Sequence, residues 1–137
     1  TGLLKSIENL VDSFQRSSSI FYSHNILEVK KIDEFISIEK QLYIFRILQE
    51  SFVNVEKHSK ATACLTSVIE TKKYFEFTIK DNGKGFVLNN IIESSTGIGL
   101  KNFKERVQYI DGTLEIKTKP NLGTEIYIRM QKEKVKN

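Results

Sequence analysis

Two alternating runs, three residues apart, limit what this chain can fold into. In "ATACLTSVIE", Ala61, Ala63, Leu65, Ser67 and Ile69 alternate with Thr62, Cys64, Thr66, Val68 and Glu70. In "YFEFTIKD", Phe75, Phe77 and Ile79 alternate with Glu76, Thr78 and Lys80. A period of two is the period of a strand, whose successive side chains point to opposite faces. "TKK" at 71–73 leaves room only for a tight return. The pair therefore predicts an antiparallel hairpin with Phe75, Phe77 and Ile79 inward and the other face wet. A sheet with one apolar face needs a second layer to cover it.

The remaining periodicities supply that layer. Leu3, Leu4, Ile7, Leu10, Val11 and Phe14 form one helical stripe, which "SSS" at 17–19 breaks. "IFYSHNILEV", 20–29, reads as a strand and "KKIDEFIS" as a loop or short turn. A long helix is predicted from about Glu39 to His58. After a polar stretch, "GIGLKNFKERVQYI" resumes helical spacing with Leu100, Phe103, Val107 and Ile110 in step. "DG" at 111–112 ends that helix with a residue suited to left-handed geometry. "TLEIKTK" and "TEIYIRM" are two last strands joined by "PNLG". The expectation is a single α+β domain over 1–137, a two-layer sandwich. Its mixed, largely antiparallel sheet of about five strands is covered on one face by three helices. Regular βαβ alternation is missing, which argues against a doubly wound fold.

Composition narrows the function classes. With 39% hydrophobic and 28% charged residues, the 137-residue chain suits a soluble domain with one core. No apolar run approaches the roughly 20 residues of a membrane helix. The start, "TGLLKSIENL", is no signal peptide, and without Met it reads as a piece of something longer. One cysteine, Cys64, excludes an internal disulfide and a cysteine-based metal site, and fits a reducing, cytosolic setting. Two histidines, His24 and His58, make a multi-histidine zinc site a poor reading. Part of the net charge of +4 lies in "RMQKEKVKN", read as a solvated tail from about 131. No basic stripe interleaved with aromatics appears, so no direct contact with nucleic acid is expected.

The chemistry gathers in two places. Within the apolar helix 39–58, Glu50, Asn54 and His58 follow one another at four-residue spacing, which on a helix puts them on one face. Six of the seven glycines come after Asp81, as if the backbone there approached a ligand or turned through positive φ. The phosphate-loop and dinucleotide fingerprints are both absent. So is the protein-kinase signature set. What stands instead is "DNGKGF" closing a strand, "TGIGL" opening a helix whose free N–H groups could hold phosphate, and "GTE" at 123–125 starting the last strand. Val87–Thr96 between the first two suits a lid over a site.

In order and spacing these pieces resemble the ATP-binding catalytic domain of bacterial sensor histidine kinases, over about Ile20 to Met130. "RILQESFVNVEKHSKA" resembles its N box, "DNGKGF" its G1 box, "GIGL" its G2 box and "NLGTEIYI" its final glycine–threonine motif. "GIGLKNFKERVQYIDGTLEI" is further similar to the subfamily paired with LuxR-type response regulators. The resemblance implies the Bergerat fold, shared with gyrase, Hsp90 and MutL, with ATP and Mg²⁺ as ligands. It implies that Asp81 accepts a hydrogen bond from the adenine amino group, supported by Thr124. Gly83 and Gly85 would let the backbone close over the base, with Phe86 completing that box. Asn54 would hold Mg²⁺ through its amide oxygen, with Lys57 and His58 near the phosphates. Gly97, Ile98, Gly99 and Leu100 would present backbone N–H groups to them. Glu50 would orient or deprotonate the incoming nucleophile. Magnesium's preference for oxygen ligands and phosphate fits one Asn better than an all-protein cage.

Each residue also has a plainer reading. Glu50 could pair with Arg46 one turn earlier, and His58 could serve the helix end as a cation. His24 reads as structural and Cys64 as a small buried filler. The resemblance implies partners too: histidine-bearing dimerisation helices of the same parent and a downstream response regulator. The phosphoacceptor helices are not in this sequence, so the fragment alone, expected to be monomeric, would not autophosphorylate. Two alternatives stand beside this: an anti-sigma-type serine kinase of the same fold, and a nucleotide-responsive docking module without transferase activity.

Overall fold

A computed structural model describes residues 2–85 and 98–133, with backbone alone for 98–101. The expected lid, Phe86, Gly97 and the last four residues lie outside the described residues. Helix α1 (Leu3–Ser17) leads into strand β1 (Phe21–Ile26). A one-turn helix α2 (Ile32–Phe35) precedes the long helix α3 (Ile38–Asn54), which passes directly into a π-helical turn, Val55–Ser59. Strands β2 (Ala63–Glu70) and β3 (Tyr74–Asp81) follow, then helix α4 (Ile98–Tyr109) and strands β4 (Thr113–Thr118) and β5 (Thr124–Gln131). The five strands form one sheet in the order β1-β2-β3-β5-β4. Among the described residues only β1 and β2 run parallel; the other pairs are antiparallel.

That parallel pair organises the molecule. Parallel neighbours need a crossover connection, and here it is α2–α3, so α3 comes to lie on the sheet. The predicted alternation places Phe75, Phe77 and Ile79 inward, all at most 2% exposed. Ile44, Ile47, Leu48 and Phe52 of α3 are buried with them, as are Ile7, Leu10 and Val11 of α1 and Phe103 and Val107 of α4. Ser37 caps α3, its hydroxyl accepting from the Lys40 N–H at 3.3 Å.

Of the loop or short turn expected over "KKIDEFIS", "IDEF" forms one helical turn, with the Ile36 N–H donating to the Ile32 carbonyl. Two sequence readings need correction. The left-handed residue after α4 is Asp111 (φ 57°), not Gly112. The basic tail begins later than expected. Gln131 still belongs to β5, and Lys132 is 11% exposed, its Nζ 2.8 Å from Glu70 and lying over the Phe35 and Phe75 rings. No helix among the described residues is long and apolar enough to cross a membrane.

One inward position is poorly matched. Thr66 is fully buried, and its hydroxyl finds no hydrogen-bond partner among the described residues. A buried hydroxyl without a partner costs stability. Thr66→Val keeps the shape and should raise stability by about 1 kcal/mol, read from urea denaturation.

Candidate functional site

The site forms where the end of α3 meets the end of β3. Asp81, the last residue of β3, pairs in register with Cys64 at the start of β2 and with Thr124 at the start of β5. Thr124 in turn faces Thr118 of β4. Alternation puts Tyr22, Cys64, Asp81, Thr124 and Thr118 in one inward row across the sheet. A cleft of about 450 Å³ opens at this end, lined in part by Asp81, Ile116, Thr118, Gly123 and Thr124.

Asp81 is 8% exposed, and its Oδ1 accepts from the Gly83 N–H at 2.8 Å. Burial pushes its carboxyl above the ordinary aspartate range, against the backbone N–H groups of Gly83 and Thr124, which pull it down. Burial, aided by the charges of Asp81 and Glu56, pushes the Cys64 thiol up to about 12, so it stays protonated and inert.

Three backbone turns are fused around Asp81. The Lys84 N–H donates to the Ser59 carbonyl at 2.7 Å, and the Asn121 N–H donates to the Lys84 carbonyl. Asn82 accepts from the N–H groups of Thr62 and Ala63 at 2.9 and 3.0 Å and donates to the Thr62 hydroxyl. The crossings are too close for side chains. A Cβ on Gly83 would collide with the Ser59 carbonyl, one on Gly85 (φ 63°) with the Lys119 carbonyl, and one on Gly123 (φ 81°) with the Asp81 carbonyl. Gly83 and Gly85, expected to let the backbone approach a base, are thus already required by contacts within the protein.

The polar row on α3 is resolved differently at its two ends. Glu50 and Asn54 lie on the α-helix and are half-buried, so four-residue spacing aligns them. His58 lies beyond, in the π-turn, where the repeat is i→i+5 and α-helical alignment no longer applies. It is exposed, as is Lys57. Glu50, Asn54, Lys57 and His58 make no side-chain hydrogen bond or ion pair among the described residues. Arg46 turns to Gln49 at 3.4 Å, so the plainer alternative for Glu50, a pair with Arg46, does not form. Ile98, Gly99 and Leu100 open α4.

Sequence reasoning missed the residues that pin the π-turn. The Glu56 carboxylate accepts from the Ser18 hydroxyl at 2.7 Å and the Tyr22 hydroxyl at 2.8 Å. The Ser59 hydroxyl donates to the Val55 carbonyl at 2.7 Å and accepts from the Ala61 N–H at 3.0 Å. Nothing in the local spacing signals the role of Glu56, because its partners lie 38 and 34 residues away.

No group of three or more His, Cys, Asp or Glu side chains suited to a metal exists among the described residues. A hard cation here would need ligand oxygens to complete its shell. The half-buried Asn54 amide, without a partner among the described residues, offers one neutral oxygen for such a shared site.

The chain is 38% identical over 128 residues to the signal transduction histidine-protein kinase/phosphatase DegS of Brevibacillus brevis, covering 93% of this chain and 32% of that protein. To the sensor histidine kinase ComP of Bacillus subtilis it is 32% identical over 130 residues, covering 95% of this chain and 16% of that one. It therefore spans a third or less of the length of these relatives. Among solved structures, the mycobacterial sensor histidine kinase MprB superposes with a TM-score of 0.72 at 17% identity, over 98% of this chain and 97% of that one. The histidine kinase domain of the Erythrobacter litoralis EL346 blue-light activated kinase gives 0.76 at 14% identity, over 94% and 60%. At such identities the likeness concerns the fold, which is the Bergerat arrangement expected from the motifs. The family match itself runs over residues 39–134, from α3 past the end of β5, and the chain belongs to the histidine kinase-, DNA gyrase B- and HSP90-like ATPases.

Proposed function

We propose that this chain binds Mg·ATP at the end of β3 and supplies the γ-phosphoryl group to a histidine on a separate dimerisation domain. The observation that carries the reading is Asp81: a buried carboxylate at the cleft, held by backbone N–H groups. It can accept from an exocyclic amine such as that of adenine. The Thr118 and Thr124 hydroxyls, 3.0 Å apart beside it, complete a polar end to the pocket. Asn54 would hold the metal, Lys57 and His58 would approach the phosphates, and Ile98, Gly99 and Leu100 would offer N–H groups from the start of α4, with Gly97 read from the motif alone. Glu50, one turn before Asn54, would orient the incoming imidazole. Bound Mg²⁺ supplies charge neutralisation at the phosphates; the chain's own part is positioning. The names of DegS and ComP support histidine over serine as the acceptor.

Calorimetry with ATP, with Mg²⁺ and with EDTA, tests the metal assignment. Asn54→Ala should lose about tenfold of the affinity that Mg²⁺ confers and keep the binding seen in EDTA. An unchanged gain from Mg²⁺ would sink the role of Asn54. Phosphate that is labile to acid on a supplied histidine-bearing helical partner identifies the acceptor chemistry; phosphate stable to acid points to serine.

A further inference from the structure

The π-turn between α3 and β2 is tied to the end of α1 and to β1 through one of its own side chains. Glu56 is itself exposed, yet its Oε2 accepts from two hydroxyls, Ser18 at 2.7 Å and Tyr22 at 2.8 Å. Ser18 follows the end of α1 and Tyr22 lies on β1. Tyr22 is 4% exposed, and its ring packs against Phe14 at 5.6 Å and Phe52 at 5.3 Å between centroids, with Phe14 and Phe52 also 5.3 Å apart. The hydroxyl that reaches Glu56 therefore projects from a rigid aromatic cluster joining α1, β1 and α3. On the other side of the turn, Ser59 is tied to Val55, Ala61 and Lys84. The two pins, Glu56 and Ser59, flank Lys57 and His58. Asn54 is the residue from which the turn departs. A π-turn is a rare departure from the α-helix, found often at functional sites.

We propose that Glu56 is a positioning residue for the phosphate end of the site: bound by the Tyr22 and Ser18 hydroxyls, it fixes the π-turn and so the placement of Asn54, Lys57 and His58. The inference rests on the Mg·ATP reading above and adds to it a residue that touches neither ligand. Charge-assisted hydrogen bonds of this kind are short and directional, so one carboxylate suffices to set the turn against β1. Loss of the clamp leaves the adenine end intact, because Asp81, Gly83 and Thr124 are held by their own backbone bonds.

The test compares ATP binding with Mg²⁺ and in EDTA for the full chain. Glu56→Ala should lower the affinity gain from Mg²⁺ about tenfold while changing affinity in EDTA by no more than about twofold. Tyr22→Phe keeps the aromatic packing, removes one hydrogen bond and should fall between wild type and Glu56→Ala. Glu56→Gln retains an acceptor oxygen and should restore most of the gain. Hydrogen exchange of the nucleotide-free chain gives a readout without ligand: amides 57–60 should exchange faster in Glu56→Ala, and those of β3 should not. An equal loss with and without Mg²⁺ marks a merely structural role and overturns the proposal. So does a wild-type gain that Glu56→Ala keeps in full. A wild-type chain that binds ATP equally with Mg²⁺ and in EDTA overturns instead the reading of the metal site on which the proposal stands.

Discussion

Asp81→Asn should fold like the wild type and bind ATP at least about 100-fold more weakly, a loss of about 2.7 kcal/mol. The fold is expected to survive because Asn keeps one oxygen for the Gly83 N–H and sheds a charge that burial disfavours. Binding is expected to collapse because the pocket is built around an acceptor. An amide turned to satisfy Gly83 presents its own N–H₂ toward the adenine amine, donor against donor. Sites that recognise a hydrogen-bonding group discriminate in this steep manner. Calorimetry beside a thermal melt separates the two effects. An unchanged affinity in a well-folded variant would remove adenine from Asp81. The same carboxylate sets a pH dependence. Burial raises its pKa, so the acid form, which gains an O–H donor and loses part of its acceptor capacity, persists to a higher pH than in a free aspartate. ATP affinity should therefore fall as pH drops through that raised value, while binding in Asp81→Asn should not respond there.

Gly85→Ala should cost about 3 kcal/mol of stability in the nucleotide-free chain, through strain in the left-handed region and overpacking together. Its φ is 63°, and the added carbon would collide with the Lys119 carbonyl. That carbonyl is backbone and cannot swing aside, since the turn at 119–123 is tied to Lys84 through Asn121. Gly112→Ala is the control. There φ is not positive, and the nearest atom is a Val107 methyl at 3.3 Å, so the expected cost is within about 1 kcal/mol. Urea denaturation without nucleotide reads both. A stable Gly85→Ala that merely fails to bind ATP would mean that the ligand, not Lys119, needs the space.

How much of this was legible beforehand depends on how local each feature is. The hairpin Ala63–Asp81, the stripe of α1 and the Phe103–Val107–Ile110 face are written in spacings of two, three and four residues, and each forms as read. Asp81 and Thr124 stand out by motif, and the sheet register brings them together. By contrast, Lys132 sits in a basic terminal run yet is held by Glu70, 62 residues away. Glu56 looks like an ordinary solvated carboxylate until β1 and the end of α1 are beside it. The helix read as continuous to His58 changes its winding after Asn54, where Ser59 must meet Gly83 and Lys84.

Sequence alone thus determined the elements, the inward face of the hairpin and the family. These rest on periodicity and on motifs, which are properties of neighbours along the chain. Tertiary structure decided three other things. It showed that the glycines of "DNGKG" and "NLG" are demanded by backbone crossings. It separated His58 from the row that Glu50 and Asn54 share. It found in Glu56 the clamp on the turn between them and β2. All three depend on which segments the sheet order brings into contact, and contact between residues far apart in sequence leaves no periodic trace in either one.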